Sequence, residues 1–499
     1  MANLIQFSSS LKNLCFKSIC RCLSTNSTPE LPPCDYIPEK YKTKLSRFEI
    51  EQIHRINLNP CLTTCYKRPV FLTQGHMQYV WDDSGRRYLD MFGGILTTSI
   101  GHCHPRLVEK IQHQSTKIWH TSSLYLTEEI HEFAIKLANH FPEPLRCVFV
   151  CNSGSEANDI AITMSRLYTG SFDIIALRNG YHGSTLSTMP LCSIGVWKFP
   201  MPTSFGFHYA SCPDPYRGRV GGRFCRDSLI QTNRHCDCID ADHCQAADYY
   251  IEDLQTMMDS CLPKKIAAMF AESIQGVGGV VQYPKQYIKR AYELVKQRNG
   301  LMVMDEVQTG FGRTGTNFWE FQSHGILPDI VTMAKGIGNG FPMAAVITTA
   351  EIAQTLTLGS YFNTFGGNPL ASAIGSTVLD VIDENNLQLR SHNLGNKLLK
   401  KLAQIRDDYN GEIVGDVRGK GLMIGVEMMY QGKPMPKEQM NEIIEDCKDM
   451  GLIVGRGGPQ ANVFRIAPPM CINDDDIDFT VETIRRSIEK YCDRQANKK

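Results

Sequence analysis

Ile330-Val331-Thr332-Met333-Ala334-Lys335-Gly336-Ile337-Gly338-Asn339-Gly340 runs from an apolar stretch straight into a lysine and a glycine-rich turn, with Asp305 thirty positions upstream. An apolar run of this length predicts a buried strand. A lysine at its tip is stripped of water, and desolvation lowers its pKa toward the neutral amine. A neutral amine is what a Schiff base requires. A strand-end lysine that simply reaches solvent shows the same local pattern, so the rest of the chain has to decide.

From about residue 145 onward, short apolar runs alternate with helical patterns, the signature of a parallel α/β sheet. The predicted strands are Arg146–Cys151, Phe172–Leu177, Ile266–Glu272, Leu301–Asp305, Ile330–Lys335 and Ala345–Thr348. All but the last end at a polar residue or a turn rich in Gly, Ser or His. Open α/β sheets bind ligands beyond the carboxyl ends of their strands, so these loops are expected to converge on one crevice. Residues 66–100 read as a meander with a turn at Asp83-Ser84-Gly85. Residues 372–499 open with a long helical stretch and continue with Val417–Val426, a helix near 437–450, and Leu452–Arg456. The expected division is a large unit at 101–371, and a smaller α+β unit drawn from both chain ends, 31–100 and 372–499.

With 499 residues, 42% of them apolar and 21% charged, the chain can bury a large core. Lys plus Arg and Asp plus Glu are equal at 52 each, which argues against nucleic acid or an anionic membrane as the main partner. No stretch of the sequence reaches the roughly 18 consecutive apolar residues of a membrane span. Lys12, Lys17 and Arg21 precede the first carboxylate, Glu30, and are interleaved with Ser8, Ser9, Ser10, Ser18 and Ser24. This basic, serine-rich opening reads as a mitochondrial transit peptide over residues 1–30, although a disordered tail has a similar composition.

Nineteen cysteines are many, yet several lie inside apolar runs, as Cys147 and Cys151 do. Buried free thiols in a reducing compartment fit better than a disulfide framework. Residues 212–244 hold Cys212, Cys225, Cys236, Cys238 and Cys244 with His235 and His243. Their spacings match no standard pair of zinc knuckles, so the segment reads as a surface insertion and no metal is assigned to it.

Pyridoxal 5'-phosphate would need a phosphate cradle, a stacking plane, an anion at the pyridine nitrogen, and the lysine. Asn152-Ser153-Gly154-Ser155-Glu156 follows a strand and opens a helical pattern, which makes Gly154 and Ser155 an anion site at a helix N-terminus or simply a capped helix start. Tyr181, between Gly180 and His182-Gly183, is the candidate stacking ring, and His182 either polarises the site or satisfies a buried hydrogen bond. Asp305 ends a run too apolar to hold a carboxylate without a partner, which a protonated pyridine nitrogen would supply. Gln308 is placed to reach the ring's phenolic oxygen. Lys335 would carry the cofactor and move the proton at the substrate's α-carbon. Arg465, alone in Phe464-Arg465-Ile466-Ala467, suits either bidentate capture of a carboxylate or a structural ion pair.

Asp305-Glu306-Val307-Gln308-Thr309-Gly310-Phe311-Gly312-Arg313-Thr314-Gly315, followed by Asp329 to Gly340, resembles the signature of class III (subgroup II) aminotransferases, and the likeness spans roughly residues 45–490. The resemblance implies PLP fold type I: a mainly parallel sheet flanked by helices, with a smaller α+β domain. It implies Lys335 and Asp305 as catalytic residues, with Gly154, Ser155 and Tyr181 at the cofactor and Arg465 on the substrate's carboxylate; His182 and Gln308 join the cofactor residues from their own sequence context. Thr364 matches the residue that crosses to the neighbouring subunit's phosphate, which implies a homodimer or a dimer of dimers. In ornithine- and GABA-type members a glutamate pairs with the matching arginine; here Val277 stands in that place, which favours small α-amino and α-keto acids. A second departure is in Met91-Phe92-Gly93-Gly94, which has glycine where serine is usual. The implied reaction moves the amino group of alanine to glyoxylate, with β-aminoisobutyrate or methylated arginines as further donors. A phospho-lyase on an amino-alcohol phosphate would use the same lysine and aspartate, and a metal-organising scaffold is a further alternative.

Overall fold

Ala268–Glu272, Leu301–Asp305 and Ile330–Met333 are buried at every position, as strands covered by helices on both faces must be. They lie at the centre of a computed structural model that describes residues 28–39, 43–202, 205–238 and 244–497. Most of the expected transit peptide therefore falls outside the described residues. In chain order the strands are β1 (Leu72–His76), β2 (Tyr79–Asp82), β3 (Arg87–Asp90), β4 (Cys147–Cys151), β5 (Ile174–Leu177), β6 (Phe207–Ala210), β7 (Ala268–Glu272) and β8 (Leu301–Asp305). They continue with β9 (Ile330–Met333), β10 (Ala344–Thr348), β11 (Val414–Lys420), β12 (Met423–Tyr430), β13 (Lys433–Pro434), β14 (Leu452–Ile453), β15 (Gly455–Gly457) and β16 (Val463–Ile466).

The large sheet has the order β4-β10-β9-β8-β7-β5-β6. The pairs β9–β8–β7–β5–β6 are parallel, whereas β10 runs antiparallel to both β9 and β4. The carboxyl ends of β4, β5, β7, β8 and β9 therefore share one edge, which is the convergence the sequence predicts. Predicted strand ends differ from the observed ones by no more than two residues. The edge strand β6 is an addition.

Helix Gly154–Thr169 packs on this sheet. It starts where Ser153 caps the Glu156 N–H and stops at Gly170, whose φ of 62° closes the last turn. The predicted strand Ile330–Lys335 stops at Met333, because Lys335 enters a 3-10 turn with φ 49°.

Two smaller sheets are built from distant parts of the chain: β1-β2-β3-β14, and β11-β12-β16-β15 with β13 beside β12. β14 lies parallel to β3, so residues 89–90 and 452–453 are neighbours. The Val417–Val426 run is a hairpin rather than one strand, turned at Gly421 (φ 51°). Leu452–Arg456 is likewise divided, with β14 joining one sheet and β15 the other.

Residues 212–238 are not the surface insertion expected from sequence. Arg226, 1% exposed, makes a bidentate ion pair with Asp416 of β11 at 2.7 and 2.9 Å. Arg418 joins Asp416 at 3.1 Å and Glu427 at 2.7 Å, and Arg217 joins Asp214 at 2.8 Å. Each buried guanidinium has a carboxylate, and the segment is thereby fixed to the hairpin.

Helix Leu387–Asp408 crosses that hairpin's turn at Gly395, where a Cβ would stand 2.2 Å from the Gly421 carbonyl. Gly395→Ala is expected to destabilise the protein by about 1–3 kcal/mol. Gly359→Ala, with open space around it, should stay within about 0.5 kcal/mol. Urea midpoints of the two variants check this, and equal midpoints would refute the close approach.

Candidate active site

Glu272, Asp305 and Thr332 stand in register across β7, β8 and β9. Asp305 is 3% exposed. Its Oδ2 accepts from Asn158 Nδ2 at 2.9 Å and faces His182 Nδ1 at 2.8 Å, while Oδ1 accepts from the Val307 N–H at 3.0 Å. Burial pushes the Asp305 carboxyl up, but His182 and then Asn158 and Val307 outweigh it and hold the group below the usual aspartate range. Burial also works against a charged His182, yet its hydrogen bond to Asp305 raises the imidazole above its ordinary value. Asn158 is oriented in turn by the Thr332 hydroxyl, which donates to its Oδ1 at 2.8 Å.

Beside this group, burial lowers the Lys335 amine to about 8; Asp305 and Glu272 pull it up, and Arg465 pushes it down. The turn that presents the lysine is clamped from outside. Ser99 Oγ donates to the Gly336 carbonyl at 2.8 Å, and Asn339 pairs with the Ile100 N–H and the Gly101 carbonyl. The left-handed φ of Lys335 is backbone strain held by these contacts.

Arg465 comes from β16 and is 5% exposed. Its Nη2 donates to Gln308 Oε1 at 2.5 Å, its guanidinium lies 5.5 Å from the Phe92 ring, and its Nε is buried without a hydrogen-bond partner. Among the described residues it forms no ion pair. Burial lowers it to about 10, with Glu272 opposing, so it remains a cation at neutral pH. A Cβ on Gly457 would stand 2.4 Å from Arg465 Cδ and 3.4 Å from the Val277 carbonyl, which places the valine beside the arginine. Gln308 thus turns toward Arg465 in this structure. Gly93 heads a left-handed turn (φ 54°) whose N–H bonds Asp90, and it abuts the Ala467 carbonyl close to Arg465.

The start of helix Gly154–Thr169 meets the same edge: a Cβ on Gly154 would lie 3.2 Å from Val307 and 3.6 Å from Ala334. Ser155 Oγ accepts from the Ser184 N–H at 3.2 Å. Gly183 (φ 131°) is required opposite it, since a Cβ there would lie 2.6 Å from Ser155 Oγ. Tyr181 is half-buried, its hydroxyl 2.9 Å from Ser184 Oγ and its ring 5.2 Å from that of Trp197. Thr364 is exposed, next to Asn363, whose Oδ1 accepts from Asn152 Nδ2 at 2.9 Å.

Thus Lys335, Asp305, His182, Gln308, Arg465, Gly154 and Ser155 share one edge of the sheet, and Tyr181 adjoins them. Sequence reasoning passed over Asn158, Thr332 and Glu272. Asn158 lies in helix Gly154–Thr169, where an amide among buried apolar neighbours was the available signal. Glu272 accepts the Tyr181 N–H at 3.1 Å and the Gly276 N–H at 2.8 Å, holding two of the converging loops. These residues fit a phosphorylated pyridine aldehyde. Gly183 keeps the space at Ser155 clear, helix N–H groups face it, and Asp305 Oδ1 has capacity for a further donor.

A lysine with its pKa lowered to about 8 gains its neutral amine as pH rises through that value. In cofactor-stripped protein, reductive trapping of an aldehyde at Lys335, read by peptide mass spectrometry, should rise with a midpoint near 8. A midpoint near the ordinary lysine value would show a solvated side chain.

The site's chemistry agrees with the chain's relatives. Human alanine–glyoxylate aminotransferase 2, mitochondrial, is 51% identical over 478 residues, covering 95% of this chain and 92% of that protein. Among solved structures, a thermostable (S)-enantioselective omega-transaminase from Thermomicrobium roseum matches with a TM-score of 0.80 and 28% identity, over 90% of this chain and 100% of that one. A phospholyase from Arthrobacter in complex with phosphoethanolamine matches with a TM-score of 0.77 and 27% identity, over 88% and 99% of the two chains. Residues 64–488 match the family model for class-III aminotransferases, and with the strand-end lysine and aspartate in place, the chain belongs to that family.

Proposed function

We propose that this aminotransferase moves the amino group of alanine to glyoxylate, releasing pyruvate and then glycine, with pyridoxal 5'-phosphate as cofactor. The observation that carries the substrate class is Arg465, a buried cation with no carboxylate of its own beside a lysine of lowered pKa. An acid small enough to share the space with Val277 and Phe92 supplies that carboxylate.

When bound, pyridoxal phosphate supplies a conjugated pyridinium that takes up the electron pair left at the substrate's α-carbon. The chain does the rest. Gly154 and Ser155 would hold the phosphate at the helix start, and Tyr181 would stack on the ring. Asp305, kept ionised by His182 and Asn158, holds a proton on the ring nitrogen. Gln308 is released from Arg465 when substrate arrives and is then free for the ring's oxygen. Lys335 would hold the cofactor and, with its amine free, would carry the proton from the substrate's α-carbon to the cofactor's aldehyde carbon.

Thr364 reaches the phosphate of a second copy in this reading. In its support, Tyr361, Phe362 and Phe365 are exposed next to an exposed Trp119 and Leu124-Tyr125-Leu126, with His120 and Phe365 rings 5.5 Å apart. A homodimer, or a dimer of dimers, covers that face. The human relative's mitochondrial name and the basic opening of the sequence together support a mitochondrial address.

In a half-reaction, L-alanine added without an acceptor should abolish the yellow band of the bound cofactor and glyoxylate should restore it, with Lys335→Ala inert. Phosphate release from phosphoethanolamine with no response to alanine would make the protein a lyase. Arg465→Lys should raise KM for glyoxylate by roughly 10- to 100-fold, the loss of one charged hydrogen bond. Val277→Glu gives Arg465 a permanent partner and should weaken the alanine half-reaction by about 10-fold or more while improving ω-amines. An unchanged donor profile would refute the specificity argument.

A further inference from the structure

Four cysteines far apart in local spacing come together outside the active site. Cys225 Sγ lies 3.2 Å from Cys236 Sγ and 3.8 Å from Cys238 Sγ, and these three sulfurs are all within 4.8 Å of one another. Cys244 lies beside this group, its thiol donating to the Cys225 carbonyl at 3.7 Å. Cys225, Cys238 and Cys244 are buried and Cys236 is half-buried; none is in a disulfide. The fifth cysteine of the segment, Cys212, is elsewhere, donating to Gln275 Oε1.

Main-chain N–H groups are aimed at these sulfurs. Cys238 N–H donates to Cys236 Sγ at 3.3 Å, and Gln245 N–H donates to Cys238 Sγ at 3.1 Å. The N–H groups of Ala246 and Ala247, in the first turn of helix Gln245–Cys261, donate to Cys244. Such donors stabilise negative sulfur, and they are directed at three of the four atoms. Cys225 is fixed through its backbone, its carbonyl accepting the Lys285 N–H at 2.7 Å.

We propose that Cys225, Cys236, Cys238 and Cys244 form a structural site for a thiophilic divalent cation, Zn²⁺ in the cell. A tetrahedral Zn²⁺ with sulfur ligands at about 2.3 Å sets its sulfurs about 3.8 Å apart. One of the two measured separations has that value, and the other must open by roughly half an ångström. Binding releases the four thiol protons and leaves a dianionic centre, which the N–H groups partly offset. The spacing, ten residues between the first two ligands, one between the next and five before the last, differs from paired two-residue knuckles.

The site's purpose follows from its neighbour in the chain. Cys225 precedes Arg226, whose ion pair with Asp416 fixes the segment to β11. β11 pairs with β12, and Gly425 of β12 pairs with Arg465. The cation would tie an irregular segment to a helix start and, through Arg226, to the hairpin that supports the substrate arginine.

The test is metal content in the full-length mature holoenzyme, expressed with zinc in the medium and purified without chelator. About one zinc per chain is expected, released by a thiol-directed mercurial and detected with a chromogenic chelator. The Cys236→Ser/Cys238→Ser double variant should lose it and melt several degrees lower. Because that variant can fail to fold, cobalt is also exchanged into the wild-type protein. The intense red-region bands of tetrahedral cobalt thiolate support the site, and their absence counts against it. Zinc-free protein whose four thiols all stay reactive after zinc loading would overturn the proposal. So would peptide masses showing these cysteines linked to one another, or zinc that survives the double substitution.

Discussion

An ionised carboxylate in the middle of a parallel sheet is the constraint around which this molecule is arranged. Asp305 sits between two other strands with almost no exposure, where a charge without partners costs several kcal/mol. Its partners come from three directions: the next turn through Val307, the helix above through Asn158, and the loop after β5 through His182. Thr332 on the neighbouring strand then fixes the amide of Asn158. Satisfying one side chain in this way sets where the helix starts, how the 178–183 loop folds back, and how β8 and β9 meet. The lysine turn and the candidate phosphate cradle inherit their positions from it.

The neighbouring carboxylate shows how local such control is. Glu272 is in register with Asp305 and equally buried, yet burial and the charge of Asp305 raise it while Asp305 itself is lowered. Histidine makes the difference: its ring touches Asp305, and it reaches Glu272 only through space. One acid is kept charged, and the other serves to anchor two backbone N–H groups. Lys335, placed near both, keeps its neutral form accessible because desolvation outweighs their attraction.

Those features were legible to the extent that they break a pattern. Asp305 and Lys335 stand out because charged residues end apolar runs, and parallel strands buried on both faces have few other readings. Asn158 and Thr332 are uncharged and sit in ordinary surroundings, so nothing in the string marks them as holding an aspartate. The reversed direction of β10 was not legible either, since Ala344–Thr348 is as apolar read backwards as forwards. The hairpin inside Val417–Val426 depended on Gly421 taking a left-handed turn against helix Leu387–Asp408, a tertiary contact. The cysteines of this segment were judged by spacing alone, and only the fold shows that Cys225, Cys236 and Cys238 meet with Cys244 beside them. Thr364 is a different case, because its proposed partner belongs to another copy of the chain.

Arg465 differs from the ion-paired arginines around the hairpin. Arg226, Arg418 and Arg217 each face a carboxylate, and their desolvation is offset within the fold. Arg465 has only the Gln308 amide and the face of Phe92, with Nε left unsatisfied. A guanidinium kept in that condition destabilises the free protein, a deficit that the proposed acid substrate would remove by bringing two oxygens to it. A glutamate at position 277 would remove the deficit in advance and leave less for the substrate to gain. Valine there leaves the arginine unpaired, so in the proposed reading the same unsatisfied charge that weakens the free fold would select the ligand.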